Sequence, residues 1–94
     1  MSQEIKHTIL IIYDISDNSR RYRMAKLLKG FGYRVQRSAF ECLLSTSKYN
    51  KLISNINKLV VEEDLVRVYK LHDNIDIKIW GDIDKIEDED VIFI

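Results

Sequence analysis

Five consecutive apolar positions, Ile9, Leu10, Ile11, Ile12 and Tyr13, run into Asp14. An unbroken run of this kind suits a strand buried on both faces, with Asp14 where the strand leaves the core. A polar turn follows, in which Ser16 or Asp17 can cap a helix from about Asn18 to Lys29, ended by Gly30 and Gly32. Met24, Ala25, Leu28 and Phe31 mark the buried stripe of that helix. On the same wheel Arg21 falls inside the stripe, whereas Arg23, Lys26 and Lys29 point outward. The Arg21 guanidinium is therefore expected to reach toward Asp14 or an anion held near it.

Residues 33–36 and 38–44 read as two extended pieces with a kink or tight turn near Arg37, one long bent strand being the alternative. From about Ser47 to Val60, Tyr49, Leu52, Ile53, Ile56 and Leu59 recur at helical spacing, with Lys48, Lys51, Asn55 and Lys58 on the other side. Leu65 to Leu71 alternates as a strand. Ile75, Ile77 and Ile79 then alternate with Asp76, Lys78 and Trp80, as in a strand with one wet face. An acidic stretch, 82–90, ends in the apolar tail Val91-Ile92-Phe93-Ile94, expected as a further short strand on this chain or a partner. The order is that of an α+β, ferredoxin-like βαββαβ sandwich with one or two extra C-terminal strands. Two helices on one face leave the other face of the sheet in need of cover, which two sheets packed face to face in a two-fold homodimer would supply.

Proline is absent, glycine occurs three times, and no repeat or linker interrupts the 94 residues, so a single domain over 1–94 is expected. Residues 82–94 are its acidic, then apolar, segment for dimer or partner contacts. No apolar run approaches the roughly 18 residues that cross a bilayer, and Met1 to Thr8 lacks the hydrophobic stretch of a signal peptide. A soluble cytoplasmic protein with no membrane contact is the expectation. Cys42 is the only cysteine, which rules out an internal disulfide, and His7 and His72 are too far apart in sequence to suggest a metal cluster with it. The formal net charge of zero hides a segregation of signs. Between Asn18 and Phe40 there are seven basic residues and no acid, whereas Glu62 to Asp90 holds eleven acids against four bases.

Asp14 has no other carboxylate nearby in sequence except Asp17, which is read as the helix cap. One carboxylate is poor equipment for Mg²⁺, although one or two carboxylates plus substrate phosphate suffice. A two-fold axis near Asp14 would make two. Such a pair can hold one metal and direct water at a phosphodiester, with Arg21 stabilising charge on the phosphate. The competing reading is structural, with Asp14 ending the strand and pairing with Arg21 as a buried ion pair. Arg20, Arg21, Arg23, Lys26, Lys29, Arg34 and Arg37 form a row suited to a phosphate backbone, interleaved with Tyr22, Tyr33 and Phe40 as stacking groups. A solvated helix face is the alternative. The acidic C-terminal third suits a basic protein surface instead.

Two motifs carry a family resemblance: Ile-Tyr-Asp-Ile-Ser-Asp-Asn-Ser-Arg-Arg-Tyr-Arg at 12–23, and Leu-Lys-Gly-Phe-Gly-Tyr-Arg-Val-Gln-Arg-Ser-Ala-Phe-Glu at 28–41. Together with the second helix, Trp80-Gly81 and the Glu89-Asp90-Val91-Ile92 segment, they make the chain resemble the small CRISPR-associated adaptation proteins of the Cas2 family over essentially its whole length. The resemblance implies a ferredoxin-like homodimer and a Mg²⁺-dependent endonuclease, with Mn²⁺ as a substitute, acting on single-stranded RNA or double-stranded DNA. It also implies partnership with the adaptation integrase in spacer acquisition. Under it, Asp14 is the metal-binding aspartate, used from both subunits, with Tyr13 and Arg21 beside it in the catalytic group. Arg23, Arg34 and Phe40 also match family positions and, with Arg20, Lys26 and Arg37 of the basic row, are the expected nucleic-acid contacts. Ala39 stands where the family commonly has valine. A non-catalytic DNA-binding scaffold bridging integrase dimers is the alternative function that the same resemblance allows.

Overall fold

The computed structural model of the chain describes residues 5–72 and 74–81. Its elements follow the expected order: β1 (Lys6–Asp14), α1 (Asn18–Lys29), β2 (Gly32–Gln36), β3 (Ala39–Ser45), α2 (Thr46–Leu59) and β4 (Leu65–Lys70). They form a four-stranded antiparallel sheet in the order β2-β3-β1-β4, the ferredoxin-like topology. β1 is one of the two inner strands, flanked by β3 and β4. It pairs with β3 through Ile9↔Cys42 and Ile11↔Phe40, and with β4 through Ile11↔Val68 and Tyr13↔Val66.

Alternation along β1 sorts its apolar run into two sets. Ile9, Ile11, Tyr13 and, just beyond the strand, Ile15 are buried in one core with Met24 and Leu28 of α1, Leu52 and Ile56 of α2, and Phe40, Cys42 and Leu44 of β3. Leu10, Ile12 and Asp14 occupy the other face, where Leu10 is half-buried and Ile12 and Asp14 are exposed. The expectation of a strand buried on both faces is therefore corrected for the single chain. Both helices pack on the same side, so nothing in the described chain covers the second. Burial pushes the Cys42 thiol up to about 11, with the charge of Glu41 adding to the effect. It is a core group, not a nucleophile.

Local chemistry explains the element ends. Asp17 caps α1 by accepting the Arg20 backbone N–H at 2.8 Å, and Ser45 caps α2 by accepting that of Lys48 at 3.4 Å. Residues 32–36 and 39–45 are two strands of a hairpin, not one bent strand, joined by a tight turn at Arg37-Ser38 with a register shift between Arg34 and Gln36. Gly30 ends α1 in ordinary right-handed geometry. Gly32 belongs instead to β2, where it lets two backbones approach closely. A Cβ there would stand 2.1 Å from the Glu41 carbonyl oxygen and 2.8 Å from the Cys42 Cα.

The C-terminal expectations fare differently. Residues 75–80 alternate as anticipated but form no strand, and Ile77, Ile79 and Trp80 are exposed, Trp80 at 85%. Alternation permits a strand, but only a neighbouring backbone makes one, and no described strand pairs with this segment. The acidic stretch and the tail 91–94 lie outside the described residues. No helix among the described residues is long and apolar enough to cross a membrane.

Gly32→Ala should destabilise the fold by about 1–3 kcal/mol, the usual cost of overpacking, because backbone atoms cannot yield as a flexible side chain would. Denaturant unfolding measures this as a lowered midpoint; an unchanged midpoint would show that β2 and β3 can separate locally without loss.

Candidate functional site

The turn between β1 and α1 is built by three charged side chains that are adjacent in sequence but do different work. Asp17 caps the helix. Arg21 folds back over its own turn, its Nη1 donating to the carbonyl oxygens of Ile15 at 3.1 Å and Ser16 at 3.3 Å and its Nη2 to Asn18 Oδ1. It satisfies backbone oxygens that the end of a strand leaves unpaired. Ile15, 2% exposed, plugs the core beneath.

Arg20 reaches across the fold. Its Nε and Nη2 donate to the two carboxylate oxygens of Asp64 at 2.9 and 3.0 Å, a bidentate pair, with Glu63 a further 3.5 Å contact. The Asp64 side chain is 1% exposed. It also accepts the Val61 N–H at 3.1 Å while its own N–H donates to the Val61 carbonyl, so the α2–β4 loop is wound around it. The Arg20 hydrogen bond holds the Asp64 carboxyl below the usual carboxylate range, and the same bond raises Arg20. Asp64 immediately precedes Leu65, the register partner of Asp14. The pair thereby fixes the start of β4 beside the end of β1, where Asp14 stands.

The expected site residues separate into three groups. Asp14 is exposed at the sheet end, on the face away from the helices. Arg21 is bonded to the turn rather than paired with Asp14, so the buried Asp14–Arg21 ion pair is not formed. Tyr13, adjacent in sequence, points to the opposite face by strand alternation and is 3% exposed. It stacks on Phe40 with ring centroids 6.4 Å apart, and the Arg34 guanidinium lies 5.1 Å from the Phe40 centroid. Phe40 is 0% and Arg34 5% exposed: in the single chain both are held inside the helix-side core. Arg23, Lys26 and Lys29 are exposed along α1, and Arg37 is exposed in the hairpin turn. Arg20 is committed to Asp64, which sequence reasoning missed. The only signal was an acidic triplet, 62–64, placed just before a strand.

Around Asp14 the uncovered sheet face is apolar. Ile12, Leu43, Leu65 and Tyr69 are exposed on it, together with Tyr33, whose hydroxyl donates to Glu41 at 3.2 Å, and Arg67, whose guanidinium lies 5.7 Å from the Tyr69 ring centroid. An apolar surface extending over three strands is the mark of an interaction face. Among the described residues no group of three or more His, Cys, Asp or Glu is placed to hold a metal. Among those residues one chain supplies the single carboxylate of Asp14 there, too few oxygens to define a cation site alone.

The geometry defines a class: a ferredoxin-like domain with an acid at the end of its inner strand and an unpartnered apolar sheet face. Residues 7–79 match the family described as CRISPR associated protein Cas2. The chain belongs to that family. It is 41% identical over 88 residues to a Mycobacterium tuberculosis protein named CRISPR-associated endoribonuclease Cas2, covering 94% of this chain and 78% of the relative. The Streptococcus pyogenes Cas2 crystal structure superposes with a TM-score of 0.65 at 29% identity, covering 71% of this chain and 88% of that one. A chain of a partial Cas6-RT-Cas1–Cas2 complex superposes with a TM-score of 0.62 at 27% identity, covering 72% and 81%.

Breaking the Arg20–Asp64 pair should expose its pH dependence. A depressed carboxyl contributes stability that is complete above the unfolded-state value of about 4 and is lost as pH falls through the lower folded value. Thermal melts from pH 6 to 2 should therefore show a smaller acid-induced loss for Asp64→Asn than for the parent, from a lower starting Tm. Parallel curves for the two proteins would mean that the pair does not govern acid stability.

Proposed function

We propose that the protein acts in CRISPR adaptation as a two-fold homodimer, with Asp14 from both subunits forming a Mg²⁺-dependent endonuclease centre for single-stranded RNA or double-stranded DNA. The observation that carries this reading is the location of Asp14 on the sheet face that the helices leave uncovered. A second copy seated on that face covers Ile12, Leu65 and Tyr69 and brings a second carboxylate toward the first. Mg²⁺, or Mn²⁺ in its place, would supply Lewis-acid activation of water and of the phosphodiester. The chain's own residues do the positioning: Arg21 locks the turn that follows Asp14, and the Arg20–Asp64 pair aligns β4 beside it. Arg23, Lys26 and Arg37 are exposed and present basic groups to a phosphate backbone. Tyr13, Arg34 and Phe40 support the strand from beneath.

Likeness to a chain of a Cas1-containing complex supports an adaptation integrase as partner, and the exposed Ile77, Ile79 and Trp80 offer it or a second copy apolar surface. A second reading, a non-catalytic DNA-binding scaffold between integrase dimers, is favoured by the scarcity of metal ligands around Asp14 among the described residues. The two separate on one variant. Asp14→Asn should reduce Mg²⁺-dependent cleavage at least a hundredfold while sedimentation shows the same dimer and anisotropy the same duplex affinity. Parent protein that cleaves neither RNA nor DNA with Mg²⁺ or Mn²⁺, yet binds duplex as a dimer, establishes the scaffold reading instead.

A further inference from the structure

At the far end of β1 from Asp14, Lys6, Lys48 and Lys51 line a cleft of about 390 Å³ together with Ser45, Asn55 and Phe31. Lys48, Lys51 and Asn55 fall at i, i+3 and i+7 on α2 and so share one face of that helix. Lys6 arrives from the first position of β1, the register partner of Ser45. None of the described residues lining the cleft is an acid, and the first turn of α2 has none either. The positive end of the helix dipole therefore adds to three ammonium groups instead of being offset. Phe31 gives one wall an apolar surface. Such a convergence of cations is relieved by an anion, and lysine meets phosphate as a compact point charge.

We propose that this cleft is a second nucleic-acid site, taking phosphate groups of the backbone. It goes beyond the Asp14 centre. β1 has nine residues, so its two ends lie about 27 Å apart at ~3.4 Å per residue. That equals roughly eight nucleotide steps of duplex. The charged groups among the described residues lining the cleft are Lys6 of β1 and Lys48 and Lys51 of α2.

The test uses Asp14→Asn protein, so that cleavage does not consume the probe and the result does not depend on whether the Asp14 centre cuts. Binding of a labelled 30-base-pair duplex is followed by anisotropy between 50 and 200 mM salt for this protein and for the same protein with Lys48→Gln and Lys51→Gln. Each phosphate contact contributes about 0.9 to the slope of log K against log salt, so the double substitution should flatten the slope by about 2 for each cleft that the duplex engages. Lys58→Gln, exposed on α2 outside the cleft, should leave the slope as it is. Lys48 and Lys51 are both exposed, so the variants should melt with the parent. An unchanged slope in the double variant, or an equal change from Lys58→Gln, overturns the proposal. So does saturable binding of inorganic pyrophosphate that depends on Lys48 and Lys51 yet does not compete with the duplex, which would assign the cleft to free phosphate. Restoration of the full slope in the double variant by deleting residues 82–94 also overturns it, since the lysines would then have been neutralising the acidic segment.

Discussion

An inner strand has two faces, and two helices that pack on the same side can cover only one of them. That asymmetry sets everything else in this molecule. It splits the apolar run of β1 into Ile9, Ile11 and Tyr13, which build the core, and Leu10 and Ile12, which face outward at the centre of the sheet. It also sends Asp14 to the outer side with them. A carboxylate on the wet face of an isolated sheet would be unremarkable. On a face paved by Ile12, Leu43, Leu65 and Tyr69, it marks a place where surface is meant to be covered.

The second constraint is the link between the first turn of α1 and the start of β4. The α1 arginines look alike in sequence, yet each meets a different environment. Arg20 is drawn to a nearly enclosed carboxylate and closes a long-range contact between residues 20 and 64. Arg21 closes a local one, gathering the carbonyl oxygens of Ile15 and Ser16. Arg23 stays in solvent. A basic run therefore divides into two structural cations and a remainder open to a ligand. Arg34 follows the same logic from β2, where the hairpin register places it over Phe40 inside the core. Burying a guanidinium this way is tolerable because its flat, weakly hydrated face suits an aromatic ring.

Charge segregation then acquires a spatial meaning. Basic groups occur on α1, in the hairpin turn, and in the cleft beside α2, while Asp14 stands on the uncovered sheet face. These places are separated by the thickness and length of the sheet, so a polyanion that touches more than one must be large. A nucleic-acid backbone meets that requirement and a mononucleotide does not.

The sequence by itself determined the element order, the cap of α1 to within Ser16 or Asp17, and the ferredoxin-like class, because these depend on short-range periodicity and on turn chemistry; the Ser45 cap of α2 emerged only in the structure. It also placed Asp14 at the end of the inner strand, since the apolar run stops there. What it did not determine is where side chains point once strands pair. The opposite orientations of Tyr13 and Asp14, the burial of Arg34 and Phe40, and the Arg20–Asp64 bond follow from register and from a loop more than forty residues away, which no local window contains. The segment 75–80 failed as a strand for the related reason that alternation is local but pairing is not. Short-range order was legible in the residues. The partners of the charged groups were settled only when the chain came together.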